Sequence, residues 1–479
     1  MRFVALAIIL LMLPLFVVWL QSSPKSRDIA LTLLGVLVFV NGDIQVDAAI
    51  YSWPVWQGIS KGLLVSPADA LVLALLITRK PGGKALPLIW LPACYLAVLL
   101  LSVGFSRVPM ASMFSIWDFG RVFLAFFAVG VELARPTAYS ALLRGLSIGL
   151  MIQAGYVINE KLHGVVQARG TMAHQNLLGM VTEIAFLNLL AAALEGNRSR
   201  LIKLGLLAGL IIAAGGGSRA TLALVGGASL LLIIVSMLRK STPRKAAMAA
   251  ASVGLLLAAI PFAIGTLEDR FGGLEITTEE TQRAAMEKAA HAMSGDHPLG
   301  VGANLYVSVA NTEGYSQRAG VSWWGMNLAV PVHNSYLLAR AELGYQGQAM
   351  FMLLLLVPLA AGLRHAFRRR RLSRDGLVLG SVAAMGAIAV HSSYEFNTMI
   401  YTVQLPLMMN IAIIAGLIRA SRIEGATANT NTPAPEQPSA RGQMAVARMP
   451  IVPTVGAVPR RQEQSADGRL PIRIQEARN

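Results

Sequence analysis

The sequence has one cysteine, Cys94, and few charges, with 14% of its 479 residues being Asp, Glu, Lys or Arg. A single cysteine inside an apolar run excludes a disulfide framework and a thiolate metal site. Acidic residues are the scarcer sign, 25 against 41 Lys and Arg, and no Asp-x-Asp pair occurs. Without such a pair, or a His/Cys cluster in the loops, the chain lacks the usual ligand sets for divalent metals. What fills the sequence instead is apolar: 55% of residues are hydrophobic and the mean hydropathy is +0.57. That balance excludes an ordinary soluble domain and points to a chain that crosses a membrane many times.

Apolar runs able to cross a hydrocarbon core of roughly 30 Å recur along the first 420 residues. They are continuous rather than alternating, so the expected fold class is an all-α transmembrane helical bundle, not a barrel. The expected spans are 3–20, 28–41, 62–78, 86–104, 113–133, 137–156, 177–195, 201–216, 220–238, 246–266, 335–363, 376–394 and 399–419. This gives about 12 or 13 helices. The N-terminal "MRFVALAIILLMLPLFVVWLQSS" has no small-x-small cleavage pattern and reads as a retained first helix. Residues 421–479 scatter Pro433, Pro435, Pro438, Pro450, Pro453, Pro459 and Pro471 among Thr, Ala, Gln and Arg, a composition that predicts a disordered tail.

The net charge of +16 does not signal nucleic acid, because the basic residues sit in short loops between apolar runs. Arg79, Lys80 and Lys84, Arg135, Arg198, Arg200 and Lys203, Arg239, Lys240, Arg244 and Lys245, and Arg364 with Arg368 to Arg371 and Arg374 mark the cytoplasmic loops. The loops 105–112, 157–176, 215–219, 267–334 and 395–398 then face outward, and the C-terminus lies inside. The span 1–420 is expected to form the membrane domain, with 267–334 as one large outward loop. "SSPKSR" at 22–27 competes with the first two residues for the inner side, which leaves the first two spans unsettled.

Ionisable residues that sidedness does not explain are functional candidates in such a chain. Four outward stretches hold most of them. "QARGTMAHQNLLGM" supplies Arg169, His174 and Asn176, with Thr171 or Asn176 available as a helix cap. "AAGGGSRATLAL" must contain a turn, since Ile202 to Leu238 as one helix would be roughly 55 Å long. Placing that turn at Gly215 to Gly217 puts Ser218 and Arg219 at a helix start, where the dipole and free N–H groups favour an anion. An arginine reaching for lipid phosphate explains Arg219 equally simply. The 267–334 loop is too long for a connector and carries an amphipathic segment, 279–294, with Arg283, followed by a glycine turn, "HPLGVGANLY", that contains His297. "VPVHNSYLLARAELGYQG" opens a span with His333 and Asn334 and carries Arg340, Glu342 and Gly344 further in. Histidine is the residue type best suited to a general base near neutral pH, although one at a helix start is commonly an interface residue.

Together "ARGTMAHQN", "GGGSRATL", "TQRAAMEKA…DHPLGVGANLY" and "HNSYLLARAELGYQG" resemble the signature of the O-antigen ligase and O-antigen polymerase superfamily, over about residues 165–350. The resemblance implies an integral glycosyltransferase of the bacterial inner membrane with its site facing the periplasm. The donor it implies is glycan linked to undecaprenyl diphosphate, used without metal or cofactor. It maps His333 onto the base and Arg169 and Arg219 onto the arginines that hold the diphosphate. Arg283, His174, Asn176, Ser218, Asn334, Glu342 and His297 complete the expected substrate-binding set. The implied partners are a glycan or lipid A core acceptor, membrane lipids and other polysaccharide assembly proteins, with no nucleic acid.

The chemistry is self-consistent. Guanidiniums neutralise a diphosphate leaving group, and a neutral histidine takes the acceptor hydroxyl proton, which implies inversion at the anomeric carbon. Polymerisation of O-antigen or exopolysaccharide repeat units is the leading expectation, and ligation of finished glycan to lipid A core or protein is its close rival. A flippase or transporter would instead spread polar residues along a central pathway. The first four helices and the tail inherit nothing from the resemblance.

Overall fold

The computed structural model describes residues 2–40, 46–79, 85–252, 254, 275–324, 326–368 and 375–430. Seven helices among them are long and apolar enough to cross a membrane: Phe3–Ser22, Pro109–Glu132, Ala138–Leu162, Gln175–Leu194, Arg219–Arg239, Ser335–Ala366 and Tyr401–Glu424. Three shorter apolar helices, Pro67–Ile77, Trp90–Phe105 and Val378–His391, lie among them. The expected span 246–266 falls largely outside the described residues, as do the tail beyond position 430 and residues 267–274 of the large loop.

In chain order the elements are α1 (Arg2–Ser22), α2 (Pro24–Leu37), β1 (Ala48–Ser52), β2 (Gly62–Val65), α3 (Pro67–Ile77), α4 (Trp90–Ser102), α5 (Pro109–Glu132), α6 (Ala138–Leu162), α7 (Gln175–Leu194), α8 (Arg200–Gly215) and α9 (Arg219–Arg239). After the undescribed segment come α10 (Glu275–Asp296), the short α11 (Tyr306–Thr312) and α12 (Tyr315–Ala319), then α13 (Ser335–Ala366), α14 (Val378–His391) and α15 (Tyr401–Thr430). Helix α15 therefore runs past the expected membrane boundary at 420.

The fold departs from an all-α expectation at one place. The apolar residues that open the expected span 62–78 form β2, paired antiparallel with β1. The reason is local. Ser66 caps α3 in a capping box with Asp69, and Pro67 occupies the first helical turn. A proline holds the residue before it in the extended region, so the helix cannot begin earlier.

Helix α7 sits at the centre. Apart from Gln175, Asn176, Thr182, Glu183 and Asn188 its residues are apolar or small, and its apolar stretch is wholly buried, as expected of a helix without a continuous polar face. It packs against α6, α8, α9 and α14. The glycine turn between α8 and α9 forms where expected, with Gly217 at φ 65°. Gly179 of α7 lies so close to α9 that a Cβ there would stand 1.9 Å from Thr221 Oγ1. The starts of α7, α9 and α13 and the end of α14 thus gather at one end of the bundle.

The opposite end is tied together by ion pairs. Arg27 pairs with Glu132, Arg135 bridges Asp28 at 2.6 Å and Glu132 at 2.8 Å, and Glu195 receives Lys245 at 2.8 Å and Arg239 at 3.3 Å. Arg368 holds Asp375 at 2.9 Å. These pairs join the helix ends where Lys and Arg crowd, so the basic loops are also the fasteners of that end.

Candidate functional site

The turn after α14 carries Glu395, whose side chain is 5% exposed, and three elements converge on its carboxylate. Oε2 lies 3.1 Å from His333 Nδ1, just before α13. Oε1 accepts from Asn176 Nδ2 in the first turn of α7 at 2.7 Å and from Arg283 Nη2 of α10 at 3.4 Å. Residues distant in sequence by 62 to 219 positions therefore meet on one group.

Backbone and hydroxyl bonds hold this turn against the start of α13. Ser335 Oγ donates to the Glu395 carbonyl at 2.6 Å, Ser335 N–H donates to the Ser392 carbonyl at 2.8 Å, and Tyr336 OH reaches the Ala389 carbonyl at 2.7 Å. Asn334 caps α13, its Oδ1 accepting from Tyr336 and Leu337 N–H at 3.0 and 3.1 Å. The His333 ring meets Phe396 edge-on at 5.4 Å. Its orientation is thereby fixed from two sides.

When the His333 imidazole is neutral, its Nδ1–H donates to the carboxylate, which leaves the Nε2 lone pair available. The His333 side chain is 25% exposed, so that lone pair can reach a bound molecule. Burial alone would raise the Glu395 carboxyl. The hydrogen bond and charge of His333, with the charges of Arg283 and His391, outweigh burial and hold it below the usual carboxylate range.

His174 caps α7, where its Nδ1 accepts from Asn176 N–H at 3.2 Å. The structure thus assigns the cap to His174 rather than to Thr171 or Asn176. Thr171 instead exchanges hydrogen bonds with Gln153 at 3.0 and 2.6 Å. Partial desolvation lowers the His174 basicity; Glu395 opposes the shift, and His333 and Arg283 reinforce it. With Nδ1 accepting from Asn176 N–H, the neutral His174 ring carries its hydrogen on Nε2.

Arg169 and Arg219 lie on neighbouring loops at this end. The Arg169 and Gly170 N–H groups both bond Glu160 Oε2, at 3.1 and 2.8 Å, while the exposed Arg169 guanidinium reaches the Ala173 carbonyl at 3.4 Å. Ser218 caps α9 by accepting from Thr221 N–H at 3.3 Å. Arg219 follows it, exposed, and makes no hydrogen bond or ion pair among the described residues. The turn at Gly217 rests on Val166 and Gln167, which ties the Arg219 and Arg169 loops together. Around the start of α7 the chain thus sets three guanidiniums and two imidazoles beside the carboxylates of Glu395 and Glu160, the latter held by the Arg169 and Gly170 N–H groups.

Two expected residues lie elsewhere. Glu342 points to the start of α11, its Oε1 accepting from Tyr306 N–H at 3.0 Å. Two residues on, Gly344 breaks α13 at φ 73°, and the Ala341 and Glu342 carbonyls accept from Val301 and Gly302 N–H at 3.1 and 2.9 Å. The glycine turn 297–306 is thereby clamped onto the broken helix, and Glu342 serves that clamp. His297 faces Glu313 at 3.4 Å, and Glu313 also receives Arg107 at 2.5 Å. Ser218 and Asn334 act as caps. Arg340 folds onto the Tyr345 ring, 4.4 Å from its centroid.

The sequence leaves Glu395, with His391 and Asn397 at the last outward turn, either to complete the site or merely to cap a helix. The one signal of Glu395 is a carboxylate in a short outward turn between apolar spans. Polar groups also lie inside the bundle rather than only at its end. Glu183 of α7 pairs with His391 at 2.9 Å, and Asn188 bonds Asn410 and Ser381 at 2.8 and 2.7 Å. Among the described residues no three His, Cys, Asp or Glu side chains are grouped to hold a metal ion. Compared with known proteins, the chain matches no family model and no curated relative.

Proposed function

We propose that this chain is an inverting, metal-independent membrane glycosyltransferase that moves glycan from undecaprenyl diphosphate to an acceptor hydroxyl. The observation that carries the reading is the His333–Glu395 pair, 3.1 Å apart, with the far ring nitrogen of a partly exposed imidazole unengaged among the described residues. A carboxylate that fixes the tautomer and steadies the imidazolium formed on proton transfer is what a general base requires.

The acceptor oxygen attacks the anomeric carbon as His333 Nε2 takes its proton, and the bond from that carbon to the diphosphate oxygen breaks. The products are the new glycoside, protonated His333 and undecaprenyl diphosphate. Arg219 and Arg169 neutralise the charge that grows on the departing diphosphate, which removes the need for an acid to protonate it. Arg283, already within 3.4 Å of Glu395, adds a third guanidinium at the edge of the site. His174 donates a neutral hydrogen bond from Nε2. The basic loops at the opposite end support a cytoplasmic setting for that end, and with it a site on the periplasmic side of a bacterial inner membrane.

Polymerisation of lipid-linked repeat units is the reaction we assign. The test uses purified protein in nanodiscs with undecaprenyl-diphosphate-linked repeat unit, and reads product length on a gel with and without lipid A core. A ladder of longer lipid-linked glycans that disappears in His333→Ala and Arg219→Ala supports the assignment. Glycan found only on the added core makes the enzyme a ligase. Undiminished product in both variants rejects the site.

A further inference from the structure

Beneath Glu395 lies a second histidine–carboxylate pair that the proposed reaction does not use. Glu183 stands seven residues after Asn176 on α7, about 10 Å further along the helix. His391 ends α14. Their contact, His391 Nδ1 to Glu183 Oε1, is 2.9 Å, and both side chains are 0% exposed. An ionisable pair within apolar helices costs a few kcal/mol relative to an apolar one, so packing alone does not explain it. The pair holds one proton whichever partner carries it, and is neutral overall. With the proton on the imidazole, the positive end lies at the C-terminus of α14, where the helix dipole favours a cation.

The pair is joined to the site through the backbone. The His391 carbonyl accepts from Tyr394 N–H at 3.0 Å and Glu395 N–H at 3.1 Å, so the residue that grips Glu183 also sets the first bend of the turn that presents Glu395. The other two polar atoms of the pair, His391 Nε2 and Glu183 Oε2, are buried and make no hydrogen bond among the described residues. Mere anchoring of the turn would be served as well by an apolar contact, without two such atoms.

We propose that Glu183 and His391 are positioning residues for the His333–Glu395 pair: together they fix the turn that carries Glu395 and place an imidazolium behind its carboxylate. The charged and titratable groups facing Glu395 are then His333 from the segment before α13, Arg283 from α10, His174 from the cap of α7 and His391 from α14, with Asn176 as the neutral donor. The charge of His391 contributes to holding the Glu395 carboxyl below the usual range, against its burial. Removing either member of the pair removes that charge. In Glu183→Gln the buried imidazole loses its counter-ion and gives up its proton, and in His391→Gln the cation is absent. The inference draws its purpose from the proposed reaction, but its test needs no glycan.

The experiment is pH-difference infrared spectroscopy of the full-length protein in nanodiscs, following the protonated carboxyl stretch of Glu395, assigned by its loss in Glu395→Gln. Glu183→Gln and His391→Gln are each expected to raise the proton affinity of Glu395, by about threefold or more, because either change removes the imidazolium end of the pair, the end that acts on Glu395. The double variant is expected to match either single one, because the pair acts as a unit. An unchanged Glu395 affinity in folded Glu183→Gln overturns the proposal. That variant keeps the volume and an acceptor oxygen for His391, so it decides the matter alone if His391→Gln does not fold. A raised affinity in a protein that shows no glycosyl transfer upholds this inference while rejecting the proposed function.

Discussion

Replacing Glu395 by Gln tests the site at its centre. The change keeps the shape and one acceptor oxygen, so Asn176, 2.7 Å away, retains a partner, and Arg283, with a side chain 42% exposed, turns to water. The stability cost is therefore about 1–2 kcal/mol, the difference between a charge-assisted hydrogen bond and a neutral one. The catalytic cost is larger. An amide facing His333 Nδ1 across 3.1 Å can donate its N–H, which selects the tautomer with hydrogen on Nε2 and removes the lone pair that takes the acceptor proton. Loss of the base and of the charge that steadies the imidazolium together predict a fall in kcat of about 10²–10⁴. Initial rates of product formation with lipid-diphosphate-linked repeat unit give kcat and KM, and a melting curve in detergent gives the stability. Glu395→Asp is expected to recover part of kcat. A folded Glu395→Gln variant that works within about threefold of wild type refutes the role of Glu395 as the partner of a general base.

Arg219→Ala is expected to lower kcat/KM for the lipid-linked donor by about tenfold or more, with an unchanged melting temperature, because the exposed guanidinium makes no ion pair among the described residues. Gly344→Ala is expected to destabilise the protein by about 2–4 kcal/mol: the residue sits at φ 73°, and a Cβ would come within 2.6 Å of the Pro298 carbonyl oxygen; thermal melting reads the loss. Asp47, before β1, is pushed up to about 6 by burial, with Arg121 opposing. The folded state therefore holds a proton that the unfolded chain has released, and stability falls as pH rises from about 4 to about 6, then stays level. Melting temperatures across that window are expected to show the decline in wild type and to lose that part of it in Asp47→Asn.

What the sequence made legible is what short-range physics controls. Three glycines in an overlong apolar stretch forced the turn at 215–217, whereas the caps were less legible: the one expected at Thr171 or Asn176 falls to His174, and Ser218 and Asn334, expected to bind substrate, cap α9 and α13. The amphipathic segment 279–294 lies within α10, Glu275–Asp296. The β1–β2 hairpin was not legible, since an apolar run directly before a helix has no period of its own to separate strand from helix. The convergence on Glu395 was hidden for a different reason. Its partners stand far along the chain, and no local pattern records which buried donor meets which acceptor. The same holds for Glu183 and His391, whose pairing joins α7 to α14. Glu342 shows the opposite case. The resemblance made it a substrate-binding residue, and in the structure its carboxylate faces the N–H of Tyr306 and clamps the glycine turn.

The central claim is that His333 takes the proton of an acceptor hydroxyl in a single displacement at the anomeric carbon. Nuclear magnetic resonance of the glycan formed from one lipid-diphosphate-linked repeat unit of known anomeric configuration measures this directly, in wild type and in His333→Ala. The account predicts inverted configuration at the new linkage in wild type and no new linkage in the variant. Retained configuration, or undiminished product from His333→Ala, would contradict it.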